Sequence, residues 1–338
     1  MNIPFPNESF TPVTDIILQS ITAQAILESI KVKMFDILES QDCSVEELAK
    51  KLGFIPYKLD SLMELLKENG LVIKNGEKIS NSKLSSEFLV STAPLYQGLA
   101  VMLSMEFREN VNESIGEWLK KDVKERKSTD EKWSTQKAME GTAQEALTGG
   151  LQRTVEIISK LPGFSSFKLM GDLGGNHGTY TMSLLDKNPD LSGIICDLPN
   201  VIDVAEKRCE QMGYGGRVKG YGFDVHTGEL PDEKFDLILT SHFLYCCQDN
   251  LESVFQKINH SLVTGGWFVA HHYAKQDSEM SGKTVAALEL MTRLCGYHSH
   301  FIEGDVLETK LSANGFGNFQ QQWTDESSGL LFFAAQKV

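Results

Sequence analysis

Leu169-Met-Gly-Asp-Leu-Gly-Gly-Asn-His-Gly178, with Ile195-Cys-Asp-Leu-Pro199 behind it, is the stretch that decides the fold. Phe164 to Lys168 leads into it and a helical run from Thr179 to Leu185 follows. The order reads as strand, glycine-rich turn, helix, and a second strand ending in an acid at Asp197. A turn with several glycines lets backbone N–H groups approach a ligand closely, and an acid after the next strand is placed to hold ribose hydroxyls. The pattern predicts a nucleoside-cofactor site.

Downstream, apolar strands are expected at Leu169–Gly171, Gly193–Asp197, Arg217–Tyr221, Phe235–Thr240 and Gly266–His271, alternating with helical segments. Two late strands, near Phe319–Trp323 and Leu330–Ala335, follow. Such alternation predicts an α/β, doubly wound, mainly parallel sheet with ligands at the carboxyl ends of its strands. Upstream, Ser44-Val-Glu-Glu47 is a capping box opening a helix over Val45–Leu52. After the turn Gly53-Phe-Ile-Pro56, an amphipathic helix from Tyr57 to Glu68 turns Leu59, Leu62, Met63, Leu65 and Leu66 inward. Leu71 to Ile79 reads as a hairpin on an Asn75-Gly76 turn. Helix–turn–helix plus hairpin predicts a winged helix within residues 1–108. Its second helix sets Lys58 and Lys67 against Asp60, Glu64 and Glu68, so it lacks the positive surface DNA needs. Packing and dimerisation is the preferred role. Residues 109–160 are expected to form a helical connector and pocket wall, with Lys120–Lys132 a solvated charged stretch. Residues 161–338 form the cofactor domain.

The 338 residues are 41% hydrophobic and 23% charged, ordinary for a globular protein. A net charge of −14 argues against general nucleic-acid binding. The six cysteines show no disulfide-like spacing, which fits a reducing compartment. No apolar run long enough to span a membrane occurs, and the start lacks a basic and apolar leader, so a cytoplasmic location is expected.

Several cofactors use a glycine turn. Here an acid, Asp172, ends the first strand and would repel a pyrophosphate seated against the turn. It suits a cationic amino acid instead. S-adenosylmethionine (SAM), with an ammonium, a sulfonium and a ribose, fits a turn bracketed by Asp172 and Asp197.

Asp172-Leu-Gly-Gly, Cys196-Asp-Leu-Pro-Asn-Val-Ile202, Gly222-Phe-Asp224, Phe235-Asp-Leu-Ile238 and Leu262-Val-Thr-Gly-Gly266 resemble the ordered blocks of class I SAM-dependent methyltransferases. Among these the chain is similar to the plant-type small-molecule O-methyltransferases, the caffeate and hydroxyindole kind, over nearly its whole length. The resemblance implies a Rossmann-like SAM domain behind an N-terminal winged-helix dimerisation domain. It also implies a homodimer in which that domain helps shape the partner's substrate pocket, and a small-molecule methyl acceptor. Carried over by position, Gly174 and Gly178 would cradle the methionine part of SAM and Asp197 would hold the ribose hydroxyls. Leu198 would pack on the adenine, with Phe223 and Asp224 at its face and edge. Met139 would lie near the sulfur, and Ser241 joins the cofactor-binding set.

The chain departs from that pattern in two places. Asn176 replaces the turn's middle glycine, a change the left-handed region tolerates. His177 stands where a small hydroxyl residue is common and is expected to alter how the methionine carboxylate is bound. At the fourth strand's end the family has a leucine followed by His-Asp-Trp, whose histidine deprotonates a phenol. Here Leu244-Tyr-Cys-Cys247 sets Tyr245 in the base position, and an unperturbed tyrosine is a poor base at neutral pH. Three routes stay open: an acceptor that needs only alignment, a base supplied by another histidine, or loss of methyl transfer in a SAM- or metal-dependent tailoring enzyme. A winged-helix regulator sensing a ligand is a further alternative. All eight histidines lie beyond residue 176. His242, His271, His272, His298 and His300 fall near strand ends, and strand alternation lets only one of His271 and His272 face a pocket. Tyr245, His271 and His298 are the catalytic candidates. His298-x-His300 is the nearest ligand-like spacing, and no metal is expected.

Overall fold

The structure, a computed structural model, describes residues 3–120 and 133–338, and the backbone alone for 110–114. The chain divides into two compact units, Met1–Glu106 and Phe107–Val338.

In the first unit, α1 (Thr11–Lys31), α2 (Met34–Ser40), α3 (Val45–Leu52) and α4 (Pro56–Glu68) precede the hairpin β1 (Val72–Asn75) and β2 (Lys78–Asn81), followed by α5 (Lys83–Phe88). The capping box forms: the Glu47 N–H donates to Ser44 Oγ at 3.2 Å and the Ser44 N–H to Glu47 Oε2 at 2.7 Å. α4 starts on Pro56, whose missing N–H costs nothing in a first turn. Its Leu59, Met63 and Leu66 are buried, with Phe35, Leu48 and Ile79 in the same core. Leu62 and Leu65 are half-buried. Asn75 pairs with Lys78, so the hairpin turns on Gly76-Glu77, one residue beyond the expected pair. Gly76 supplies the positive φ (62°) that a twisted two-residue turn requires.

α6 (Gly98–Trp118) carries the boundary between the units. Of the charged stretch Lys120–Lys132, only Lys120 lies within the described residues. The second unit continues with α7 (Gln136–Ala146) and α8 (Gly150–Ile158), separated where Gly149 takes φ 126° and breaks an otherwise helical run. Then come β3 (Leu169–Leu173), α9 (Thr179–Lys187), β4 (Ser192–Asp197), α10 (Pro199–Gln211), β5 (Val218–Gly222), β6 (Phe235–Ser241), α11 (Leu251–Ser261) and β7 (Leu262–Tyr273). α12 (Gly282–Leu294), α13 (Gly304–Ser312), β8 (Phe316–Asp325) and β9 (Leu330–Lys337) follow.

The seven strands run in the order β5-β4-β3-β6-β7-β9-β8. β5, β4, β3, β6 and β7 are mutually parallel, and β9 is antiparallel to both its neighbours. Strand alternation sorts the side chains into two cores. Met170, Leu237, Val269 and Phe332 share one with α8 and α9, while Ile238, Phe268 and Phe333 share the other with α11 and α13. The winding reverses at β3, which pairs with β4 on one side and β6 on the other. In open α/β sheets a crevice for ligands opens beyond the strand ends at that point. No described helix is long and apolar enough to cross a membrane.

Candidate active site

The chain leaves β3 into the turn Gly174–Gly178 at that crevice. Gly174 (φ 70°), Asn176 (φ 39°) and Gly178 (φ 66°) are all left-handed. A Cβ on Gly178 would come within 2.7 Å of Cys209 Sγ and 2.8 Å of Ile195 Cδ1, and one on Gly174 would strike the Phe243 ring. Both positions need glycine for space as well as for φ. Asn176 adopts the strained conformation with its Oδ1 buried and without a protein hydrogen-bond partner. Asp172, 2% exposed, lies directly beneath: a Cβ on Gly175 would be 2.7 Å from its Cγ. Its Oδ2 accepts the Thr181 hydroxyl at 2.7 Å. Burial raises the Asp172 carboxyl to about 7, reinforced by the charge of Asp197 and opposed by the Thr181 hydrogen bond.

Asp197, half-buried at the end of β4, accepts the Asn176 N–H on Oδ2 at 2.9 Å and the Leu198 N–H on Oδ1 at 2.7 Å. Its own carbonyl accepts the Phe223 N–H at 2.7 Å, drawing the ends of β4 and β5 together. Leu198 is half-buried against the core, Phe223 is 4% exposed, and Asp224 turns its carboxylate onto the His226 N–H (2.9 Å) and the Thr227 hydroxyl (3.1 Å). Met139, 1% exposed on α7, packs into the core that borders the turn. The donor set fits a ribonucleoside bearing a cationic amino-acid tail. It offers a cradle a Cβ would fill, carboxylates at successive strand ends, apolar groups beside them and an unpartnered amide oxygen.

His177 is accounted for by a network that sequence reading missed. The Thr179 N–H donates to its Nδ1 at 3.1 Å, so the lone pair is on Nδ1 and the ring is neutral. Burial holds its pKa down to about 3, with the Arg208 charge adding to the effect. The Arg208 Nη1 donates to the His177 carbonyl at 2.8 Å while its Nε donates to Glu140 Oε1 at 3.0 Å. The glycine turn is thereby tied to α7, which carries Met139. An arginine on the face of α10 gives no such signal in sequence.

At the ends of β6 and β7 a chain of rings extends away from the turn. His271, 1% exposed, is fixed on both nitrogens. Thr324 commits its proton to the Leu330 carbonyl, so it accepts from His271 Nε2 at 2.9 Å. His271 Nδ1 then accepts from the hydroxyls of Tyr180 (3.2 Å) and Ser241 (3.3 Å). From His271 the ring centroids step to His242 (5.1 Å), Tyr273 (5.0 Å), His300 (4.8 Å), Tyr245 (5.2 Å) and Tyr297 (5.1 Å). Burial lowers His271 well below the ordinary value and His300 to about 4. His272 points to the opposite face of the sheet, where its Nε2 donates to the Ile302 carbonyl at 2.8 Å. Tyr245, His271 and Ser241 thus come together in or beside one ring chain. His298 does not join it: its side chain is exposed, and His300, two residues on, reaches Tyr245 instead. Among the described residues no cluster of His, Cys, Asp and Glu with metal-ligand geometry occurs.

The sequence profile of the O-methyltransferase domain family matches residues 125–299. The chain is 26% identical over 294 residues to the 3-hydroxy-5-methyl-1-naphthoate 3-O-methyltransferase of Streptomyces sahachiroi, covering 85% of this chain and 83% of that one. Its fold resembles that of a putative O-methyltransferase from Nostoc punctiforme, with a TM-score of 0.81 at 16% identity over 98% of this chain and all of the other. It also resembles human N-acetylserotonin methyltransferase solved with SAM, with a TM-score of 0.77 at 16% identity over 99% of each chain. With the family profile covering just over half of its length, the chain belongs to the O-methyltransferase domain family.

Proposed function

We propose that the protein is a SAM-dependent methyltransferase that methylates a small molecule by in-line displacement. The observation that carries this reading is the convergence of Gly174–Gly178, Asp197 and Asp224 on the crevice where the sheet reverses. SAM, when bound, supplies an electrophilic methyl group on a sulfonium. Asp197 holds the ribose hydroxyls, Leu198 and Phe223 flank the adenine with Asp224 at its edge, and Gly174 and Gly178 admit the methionine part. Met139 and Ser241 complete the wall, and Asp172 answers the ammonium.

Tyr245 and His271 orient the acceptor. His271 serves as a fixed acceptor for the Tyr180 and Ser241 hydroxyls, since its lone pair is already engaged. His298 remains at the exposed edge of the same segment. Acceleration then comes mainly from alignment of the acceptor with the methyl group. The first unit is a winged-helix domain that pairs two copies of the chain. In support, α1 exposes Val13, Ile16, Ile17, Leu18 and Ile21, an apolar surface larger than scattered exposed residues make. Cys43, Cys196, Cys209 and Cys247 are free thiols, which supports a cytoplasmic protein.

The test is incubation with trideuteromethyl-SAM and a small-molecule extract. A labelled product formed in step with S-adenosylhomocysteine (SAH) supports the reading. SAH released without any labelled product, or no consumption of SAM, contradicts it.

A further inference from the structure

Residues 299–301 lie between α12 and α13 and belong to no helix or strand, yet side chains from two other elements hold them. Glu289 on α12, its side chain 17% exposed, accepts the Ser299 hydroxyl at 3.0 Å and the His300 N–H at 3.2 Å, both on Oε2. Its Oε1 takes Arg293 at 2.7 Å. From the opposite flank, Gln248 Nε2 donates to the Ser299 carbonyl at 2.9 Å and to the Phe301 carbonyl at 3.1 Å. Gln248 belongs to the short turn Leu244–Asn250 that also carries Tyr245. Thr292, one turn beyond Glu289 on α12, pairs its hydroxyl with His300 Nδ1 at 3.0 Å.

The segment so held carries one ring of the chain that starts beside Ser241. His300 is half-buried, with its centroid 4.8 Å from that of Tyr273 and 5.2 Å from that of Tyr245. Since Thr292 engages Nδ1, the Nε2 edge faces away from that hydroxyl. Ordering partly buried side chains around an irregular segment costs rotamer entropy, and support of this kind fixes a ring to the tolerance that alignment of a reactant requires. We propose that His300 meets the methyl acceptor through the Nε2 edge of its ring, and that Glu289 and Gln248 are the positioning residues that set that edge. The inference rests on the methyltransferase reading and names the residue that aligns the acceptor. Burial holds the His300 pKa down to about 4 against the opposing charge of Glu289, so the ring offers a hydrogen bond without setting a positive charge beside the sulfonium.

The test combines histidine-ring NMR with methyl transfer on the full chain. The His300 ring, assigned by the signal that His300→Phe removes, should show one fixed tautomer in the wild type saturated with SAH. Glu289→Gln should keep it, because an amide oxygen accepts from the same two donors, whereas Glu289→Ala should move it toward the average of both tautomers. With the acceptor traced by the trideuteromethyl label, Glu289→Ala and Gln248→Ala should each lower kcat at least about tenfold while KM changes by less than about threefold. Glu289→Gln should recover most of that rate. In a His300→Phe background, Glu289→Ala should cost less than about twofold more, since a residue acting through His300 has nothing left to position. A His300 spectrum in Glu289→Ala identical to the wild type overturns the proposal, as do fully additive losses in the double variant or a His300→Phe protein with wild-type kcat and KM. If Glu289→Ala no longer binds SAH, its fold is damaged and Gln248→Ala decides on the same readouts. If the wild type forms no labelled product, the methyltransferase reading fails, while the ring spectra still decide whether Glu289 and Gln248 position His300.

Discussion

The carboxylate of Asp197 accepts the backbone N–H of Asn176 at 2.9 Å, so the acid that ends β4 also braces the glycine turn that leaves β3. On the proposed reading, one residue would couple ribose recognition to the shape of the methionine cradle. Asp197→Asn keeps the size of the side chain but loses the charge. Hydrogen bonds to charged groups are worth about 1.5–3 kcal/mol, so SAM affinity should fall by about 10–100-fold in calorimetry.

Gly178→Ala tests the cradle. A left-handed non-glycine residue costs about 1–2 kcal/mol, and the contacts with Cys209 and Ile195 add an overpacking cost of about 1–3 kcal/mol. Urea unfolding should show a loss of about 2–5 kcal/mol. Gly216→Ala, with negative φ and open space around its Cβ, should stay within about 0.5 kcal/mol of the wild type.

Arg208→Ala removes the tie between the turn and α7. The Arg208 side chain is only 15% exposed, and its guanidinium donates to both Glu140 and the His177 carbonyl. Loss of about 2 kcal/mol of stability is expected, together with weaker SAM binding. Arg208→Lys should restore little of either, because a single ammonium cannot span both partners.

Two buried groups make opposite contributions to the pH dependence of stability. Asp172 has its pKa raised to about 7, so its contribution is fully present below the unfolded value near 4 and is lost as pH rises through 7. His177, His272 and His300 have theirs lowered to about 3, 4 and 4, so theirs is present above about 6.5 and is lost as pH falls. With the histidines more numerous, the protein should lose stability on acidification from about pH 6.5 to 4. Asp172→Asn should gain on the wild type as pH rises from about 4 to 7, by up to about 4 kcal/mol, and then hold level. Chemical denaturation across that range measures both.

Removal of a general base costs about 100–10,000-fold in rate. Tyr245 sits edge-on to Tyr297 and close to the His300 ring, an arrangement that on the proposed reading would position a guest by its face. Tyr245→Phe and His298→Ala should each keep turnover within about threefold of the wild type, whereas Tyr245→Ala should lose at least about tenfold. A loss of about 100-fold in Tyr245→Phe would make its hydroxyl a base.

Local chemistry explains what could be read from the chain alone. The Ser44–Glu47 box opens α3 where expected because its two hydrogen bonds involve residues three apart. The mainly parallel, doubly wound class of the sheet followed from alternation and glycine placement. The ring chain was not legible in the same way. Tyr245 meets His300 across 55 residues, and the choice of His300 over His298 depends on how an irregular segment packs rather than on a strand period. Arg208 looks like an ordinary charged helix residue in sequence, and only the folded positions of Glu140 and the His177 carbonyl give it its partners.

The most direct measurement of the central claim is a calorimetric titration of SAH into the wild-type protein. Saturable binding of one SAH per chain, in competition with SAM, is the expected result. No binding up to about 1 mM, the weak end of useful small-molecule affinity, would contradict the assignment of Gly174–Gly178, Asp197 and Asp224 to this cofactor.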